Sequence, residues 1–185
     1  MDRPWIILDR DGVINYDSDD YIKSVAEWRP IPGSIDAIAR LKNAGYSIAV
    51  ATNQSGLARG LLSLDELEAI HEKLRGLVAR HDTFIDWICY CPHRPEDHCD
   101  CRKPNTAMLD ALEREYNINL RGSWLVGDQL KDLQLAKRKE CRPVLVLSGK
   151  GATTAAQLND DDRQQIPIFS TLETFADALL TGTLS

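Results

Sequence analysis

The chain has 185 residues, of which 27% are charged and 43% hydrophobic, and its formal net charge is -6. The length suits a single domain with its own core, and the composition is ordinary for a soluble globular protein. No apolar run approaches the roughly 20 residues of a membrane span, and the acidic balance argues against nucleic acid as a partner. We therefore expect a cytoplasmic protein that binds neither membranes nor nucleic acid.

The first strong motif joins a short apolar run to two aspartates. Residues 6–8 predict a buried strand, Asp9 and Asp11 follow it, and Gly12 allows an immediate turn. Because alternate residues of an extended chain share a face, both carboxylates should point the same way. Such a pair can bind a hard cation, and one carboxylate can attack while the other carries a proton. The alternative is an aspartate turn that merely ends a strand.

Three further segments carry polar groups where a predicted element begins or ends. They are Thr52, Asn53, Gln54, Ser55 and Gly56 after the apolar run 47–51; Arg102 and Lys103 before Pro104; and Gly127, Asp128 and Asp132 after the run 123–126. The hydroxyl, amide and backbone N–H groups of the first segment could hold a phosphoryl oxygen. The carboxyl ends of parallel strands share one crevice, so we expect one common site.

Apolar runs and helical patterns alternate along the chain. Further strands are predicted at 84–90, 144–147 and 166–169, and helices at 34–44, 64–78, 106–116, 130–139 and 172–180. Residues 149–165 are polar and small, which indicates a loop or a weak helix. The alternation predicts a single Rossmann-like α/β domain over residues 1–185, with a mostly parallel sheet and right-handed crossovers.

Three of the five cysteines lie within residues 91–101, here called the zinc loop. Cys91, Cys99 and Cys101, with His93 or His98, supply a closed tetrahedral set of three thiolates and one imidazole. Spacing alone does not choose between the two histidines. Disulfides are the alternative, but nothing else in the chain indicates export. Four protein ligands leave no open position, so the zinc would be structural.

The four polar segments resemble the motifs of the haloacid dehalogenase superfamily of phosphotransferases. The resemblance implies that Asp9 is the nucleophile, forming an aspartyl-phosphate, and that Asp11 protonates the leaving alkoxide and later activates water. It implies Mg²⁺ bound by Asp9, Asp128 and the backbone carbonyl of Asp11. Thr52 and Lys103 would stabilise the transferring phosphoryl group, as phosphoryl transfer requires.

The zinc loop resembles that of a branch holding histidinol-phosphate and heptose 1,7-bisphosphate phosphatases, whose Cys-Pro-His position corresponds to His93. The runs at 53–60, 127–136 and 149–150 are similar to those of the heptose enzymes. The resemblance implies removal of the C7 phosphate of D-glycero-D-manno-heptose 1,7-bisphosphate, towards nucleotide-activated heptose for lipopolysaccharide. Relatives often have Lys where this chain has Gln129.

The intervals between the motifs are too short for a cap domain. Residues 11–52 hold a loop and a helix, and residues 52–103 hold a helix, a strand and the zinc loop. A small phosphorylated sugar would then be recognised at the open rim by a monomeric protein. The candidate substrate-binding residues are Asp17, Tyr21, Asn53, Gln54, Ser55, Arg59, Arg102 and Lys150. Their alternatives are solvated surface charges and a polar turn.

Three other functions remain open on the sequence. A histidinol-phosphate phosphatase would share the zinc loop and the catalytic motifs. A non-catalytic phospho-receiver domain also combines Asp, Thr and Lys with Mg²⁺, but steady release of inorganic phosphate would exclude it. A zinc-dependent binding module would leave the four polar segments unexplained.

Overall fold

The computed structural model describes residues 4–184 as a six-stranded parallel sheet with helices on both faces. The strands are β1 (Trp5–Leu8), β2 (Ser47–Asn53), β3 (Trp87–Cys91), β4 (Trp124–Gly127), β5 (Arg142–Val146) and β6 (Ile168–Phe169). The helices are α1 (Ser34–Asn43), α2 (Leu64–Ala79), α3 (Ala107–Tyr116), α4 (Leu130–Arg138), α5 (Gly151–Gln157), α6 (Asp160–Gln165) and α7 (Leu172–Leu180). A 3₁₀ turn covers Pro95–Asp97.

The strand order is β3-β2-β1-β4-β5-β6, and every neighbouring pair is parallel. The first strand is therefore central, with β2 on one side and β4 on the other. In this order the direction of winding reverses beside β1, and such a reversal opens a crevice outside the carboxyl ends of the strands. The two aspartates that follow β1 lie at that crevice.

The sheet is covered on both faces, which explains why its strands read as continuous apolar runs. Ile6 and Leu8 of β1 pack into one core with α1, α2 and α7. Trp5 and Ile7 point the other way, into a second core with α3 and α4. The predicted α/β class and mostly parallel sheet are confirmed.

Most predicted element boundaries agree with the structure to within one residue, and the larger differences are of two or three residues. The third strand begins at Trp87, three residues later than predicted, and Phe84 is exposed. Residues 149–165 form two short helices, of which the second begins where the Asn159 side chain accepts a hydrogen bond from Asp162 N at 2.8 Å. Helix α2 is capped at its start, because the Ser63 hydroxyl accepts a hydrogen bond from Glu66 N at 3.1 Å.

The intervals between the motifs are filled by short connections. Residues 9–33 form a loop that is braced where Asn15 bridges Asp11 and Pro30. Residues 54–102 supply only α2, β3 and the loop carrying the 3₁₀ turn. Within residues 4–184 no helix has the length and apolarity that a bilayer crossing needs.

Candidate active site

The first turn after β1 brings the chain against the end of β4. Asp9 is buried, and its Oδ1 accepts from the backbone N–H of Arg10 at 2.7 Å. Gly12 has a φ of 87°, and a Cβ there would lie 2.2 Å from Oδ2 of Asp128. Only glycine fits this conformation and this close approach. The turn therefore places the carboxylates from β1 and β4 side by side.

The Asp11 carboxylate is held by four hydrogen bonds from three side chains. Arg10 donates from Nε to Oδ1 at 3.0 Å and from Nη2 to Oδ2 at 3.2 Å. Asn15 donates to Oδ1 at 2.9 Å, and Gln54 donates to Oδ2 at 2.8 Å. Burial raises the pKa of Asp11, but the Arg10 charge and these hydrogen bonds outweigh burial and lower the pKa. Asp11 is thus a fixed, ionised carboxylate.

Lys103 is a buried cation that joins two carboxylates. Its Nζ lies 2.9 Å from Asp9 Oδ1 and 2.7 Å from Asp132 Oδ1, and it donates to the Ala51 carbonyl at 2.9 Å. The Asn53 side chain fixes the Lys103 backbone, accepting from its N–H at 3.0 Å and donating to its carbonyl. Burial lowers the pKa of Lys103, but the Asp132 and Asp9 charges reverse the effect and raise it. Lys103 is therefore charged.

Oxygens of Asp9, Asp128 and Asp132 lie within 4.8 Å of one another. Burial, opposed by Lys103, raises the pKa of Asp9 to about 6, and burial with the charges of Asp9 and Asp132 raises the pKa of Asp128 to about 8. Asp128 Oδ2 accepts from the backbone N–H of Lys150, whereas its buried Oδ1 has no hydrogen-bond partner among residues 4–184. A buried oxygen without a donor, within an acidic cluster, fits a hard cation such as Mg²⁺.

The site opens onto a cavity of about 300 Å³ at the carboxyl ends of the strands. Thr52 lines it, and its Oγ1 accepts from Gln54 Nε2 at 2.9 Å. The other lining residues are Asp9, Asp11, Asp17, Ser18, Asp19, Tyr21, Ile22, Asn53, Gln54, Ser55, Arg102, Gln129, Lys131 and Lys150. Lys103 does not line the cavity, but it contacts Asp9, which does.

Of the three positively charged candidates for substrate binding, Arg102 and Lys150 line the cavity and Arg59 does not. Lys150 Nζ lies 2.9 Å from Asp19 and 3.7 Å from Asp17, two acidic residues of the 9–33 loop that also line the cavity. Arg102 donates to the His93 carbonyl at 3.1 Å and so ties the rim to the zinc loop. The structure does not bring Arg59 into the lining. Its guanidinium is directed at Glu96, 4.0 Å away, on the 3₁₀ turn.

The zinc loop brings one imidazole and three thiols together. Cys101 Sγ lies 2.9 Å from Cys91 Sγ and 3.5 Å from Cys99 Sγ, and His93 Nδ1 lies 3.2 Å from Cys101 Sγ. Tetrahedral zinc with Zn–S bonds of about 2.3 Å separates its sulfur ligands by about 3.8 Å. The two sulfur pairs that include Cys99 lie near that value at 3.5 Å, whereas the Cys91–Cys101 pair is shorter. The cluster contains His93 and not His98. The donor set fits zinc.

Several residues of the site escape the sequence motifs. Arg10 lies between the two aspartates, where the sequence suggests only a surface charge, and Lys131 lines the cavity from the start of α4. His71 occupies the apolar stripe of α2, where a histidine is easily taken for core, yet it contacts Arg10. Two signals in the sequence could have identified them: a histidine on the apolar stripe of α2, and an arginine inside the turn that follows a buried strand.

Known proteins resemble this chain over almost its whole length. A family model described as HAD-hydrolase-like matches residues 100–175. The D-glycero-beta-D-manno-heptose-1,7-bisphosphate 7-phosphatase of Pseudomonas aeruginosa is 53% identical over 97% of this chain and 99% of its own. The enzyme of that name from Neisseria meningitidis is 44% identical over 95% of this chain and 94% of its own.

Solved structures give the same result. The D,D-heptose 1,7-bisphosphate phosphatase of B. bronchiseptica, crystallised with magnesium and phosphate, superposes with a TM-score of 0.90 at 45% identity, covering 97% of this chain and 99% of its own. The Burkholderia thailandensis enzyme has a TM-score of 0.73 at 35% identity over 97% of this chain and 99% of its own. The chain belongs to the heptose-1,7-bisphosphate 7-phosphatase family of HAD-like phosphoric monoester hydrolases.

Proposed function

We propose that this chain is a Mg²⁺-dependent phosphatase that removes the C7 phosphate of D-glycero-β-D-manno-heptose 1,7-bisphosphate, as its relatives are named to do. The product would feed nucleotide-activated heptose and lipopolysaccharide synthesis. The observation that carries the proposal is the arrangement of Asp9 and Asp11 beside one cavity, with Lys103 2.9 Å from Asp9. A nucleophile, a proton carrier and a cation are the groups that a two-step phosphoryl transfer needs.

The chemistry runs in two displacements. The Asp9 carboxylate attacks phosphorus, the bond from phosphorus to the C7 oxygen breaks, and protonated Asp11 gives its proton to the leaving alkoxide. Asp11 then takes a proton from water, which attacks the aspartyl-phosphate and releases inorganic phosphate. The negative charge of the bound phosphate raises the proton affinity of Asp11 when it must act as an acid. Thr52 and Lys103 would stabilise the charge on the phosphoryl group.

Two metals belong to the proposal. Asp9, Asp128 and the backbone carbonyl of Asp11 would hold Mg²⁺, which when bound supplies positive charge beside the phosphoryl oxygens. The relative crystallised with magnesium and phosphate supports this choice of ion. Asp132 pairs with Lys103 and would orient it. Zinc would be held by Cys91, His93, Cys99 and Cys101, whose ligand atoms converge.

Parallel assays on three substrates test the proposed activity. Phosphate release should be fastest from the heptose 1,7-bisphosphate, slower from fructose 1,6-bisphosphate and slowest from histidinol phosphate, and EDTA should stop it. A preference for histidinol phosphate would assign the chain to the sister phosphatase. Phosphorylation of the protein without steady release of inorganic phosphate would indicate the receiver domain, although relatives named as phosphatases favour the enzyme.

The retained 1-phosphate should bind at the rim, because only the C7 phosphate sits on a primary, unhindered carbon. Lys150→Gln should raise KM more than it lowers kcat, since this contact is made equally in the ground and transition states. Loss of a charge-assisted hydrogen bond of about 1.5–3 kcal/mol predicts a roughly 10- to 100-fold lower kcat/KM for the bisphosphate. The Lys150 backbone N–H, which binds Asp128, is kept.

Arg121→Gln serves as the matched control for Lys150→Gln, because Arg121 is an exposed arginine paired with Glu140. It should leave kcat/KM unchanged. A C7 monophosphate should be hardly affected by Lys150→Gln. If the variant weakens the monophosphate and the bisphosphate equally, Lys150 does not bind the retained phosphate.

Zinc should copurify at about one equivalent per chain and resist dialysis, whereas Mg²⁺ should wash away and be required in the assay. Cys101→Ser should release zinc, lower the melting temperature and reduce kcat, because the zinc loop leads directly into Lys103. Cys141→Ser, at a cysteine outside the cluster, is the control for thiol removal and should retain zinc. A folded, active preparation without zinc would contradict the assignment.

A further inference from the structure

We propose that His71 is a positioning residue for the proton carrier Asp11 and acts through Arg10. The inference rests on the proposed role of Asp11 in proton transfer. His71 Nε2 lies 3.3 Å from Arg10 Nη1, and the remaining face of the same guanidinium binds both oxygens of Asp11. The three side chains form a continuous chain from helix α2 to the active-site cavity.

The hydrogen-bonding inventory fixes the direction of the contact. A guanidinium carries only donors, so the His71 Nε2 that faces it must present a lone pair. The ring proton then resides on Nδ1, which lies 4.0 Å from Glu68 Oε1. Burial and the neighbouring charges of Arg10 and Arg75 lower the pKa of His71 to about 3. His71 is therefore a neutral acceptor of one defined tautomer.

His71 is held rigidly where it meets Arg10. Its side chain is 1% exposed and lies in the buried stripe of α2 between Leu67 and Leu74. The ring also packs against Tyr90 at a centroid distance of 5.9 Å. A histidine that only filled the core would not need to direct its Nε2 lone pair at a hydrogen-bond donor. Here the acceptor meets a donor of a fully buried arginine, which the apolar neighbours of the stripe could not satisfy.

The contact determines how Arg10 presents itself to Asp11. With Nη1 anchored on α2, the Nε and Nη2 edge can face the Asp11 carboxylate as a bidentate pair. Without the anchor, the guanidinium can turn and Asp11 loses its orientation. A misplacement of about 1 Å near the reacting atoms can cost about 100-fold in rate. The loss should fall on kcat, because neither His71 nor Arg10 lines the cavity.

Two substitutions separate the acceptor from the packing. In His71→Gln the amide oxygen can reach the position of Nε2 and accept from Arg10, whereas His71→Leu fills the space without an acceptor. His71→Leu should lower kcat by about 10- to 100-fold, with KM for the bisphosphate changed by less than about 2-fold. His71→Gln should recover most of the lost kcat. Leu74→Ala, at the next position of the same buried stripe, should lower the melting temperature and leave kcat unchanged.

Each outcome supports or overturns the inference. A folded His71→Leu variant with wild-type kcat overturns the inference. An equal loss of kcat in His71→Leu and His71→Gln also overturns it, and so does a loss of kcat in Leu74→Ala that matches the loss in His71→Leu. If His71→Leu does not fold, ¹⁵N NMR of the wild-type imidazoles decides: a proton on Nδ1 of His71 supports the contact, and a proton on Nε2 overturns it. Loss of turnover in Asp11→Asn with normal kcat in His71→Leu would overturn only this inference, whereas normal turnover in Asp11→Asn would overturn the proposed function.

Discussion

Asp9→Asn is expected to abolish turnover and to form no phosphoenzyme, in a protein that still folds. The amide that replaces the carboxylate is no nucleophile, so the first displacement cannot begin. Asp11→Asn should lower kcat by roughly 10²–10⁴-fold, which is the usual contribution of a positioned proton carrier. Steady-state phosphate release from the heptose bisphosphate and acid-quench trapping of ³²P-labelled protein measure the two effects.

The leaving group separates the two aspartates further. With p-nitrophenyl phosphate, whose leaving group needs little protonation, Asp11→Asn should still be phosphorylated and should accumulate phosphoenzyme, because its second displacement lacks a base. Asp9→Asn should show no label with either substrate. Asp36→Asn, at an exposed aspartate in the first turn of α1, is the control and should match wild type. Near-normal rates in Asp9→Asn or Asp11→Asn would contradict the mechanism.

Much of the fold could be predicted because the parallel sheet is buried on both faces. Strands such as β1 and β2 then appear as continuous apolar runs between helical patterns, and no solvent-exposed face has to be assigned. The ends of a strand are harder to predict from the sequence where pairing with a neighbouring strand decides them. Strand β3 begins only where Trp87 pairs with Ala49 of β2. The predicted strand starts at Phe84 because aromatic residues are common in strands, but Phe84 is exposed.

The candidate site was predictable where each residue follows a strand or lies in a compact motif. Asp9 and Thr52 are placed by their strands, and the zinc loop by its own spacing. What the sequence could not show are contacts between distant segments. The meeting of Arg10 with His71, 61 residues along, depends on how α2 packs against the sheet. The reach of a flexible arginine such as Arg59 is likewise decided by its neighbours.

Lys103→Met is expected to damage both stability and catalysis. It leaves Asp9 and Asp132 buried without their shared cation, and removal of one partner of a buried ion pair typically destabilises by about 3–5 kcal/mol. It also removes a preorganised positive charge beside the nucleophile, which should lower kcat by about 10²–10³-fold. Urea unfolding measures the first effect, and kcat at a temperature where the variant remains folded measures the second.

A second buried lysine supplies the control that separates these effects. Lys42 Nζ lies 2.6 Å from both carboxylate oxygens of Asp86, and the pair joins α1 to the segment before β3, outside the cavity lining. Lys42→Met should therefore lose stability in the same way but keep its kcat per folded molecule. Equal losses of kcat in Lys42→Met and Lys103→Met would show that the catalytic effect is only unfolding.

The double variant Lys103→Met/Asp132→Asn tests the ion pair from the other side. Replacing Asp132 by a neutral amide removes one of the two unpaired charges, so part of the lost stability should return. The catalytic rate should not return, because the positive charge 2.9 Å from Asp9 is still missing. Recovery of kcat together with stability would mean that Lys103 serves only to neutralise the acidic cluster. Recovery of stability alone places the Lys103 charge in phosphoryl transfer itself.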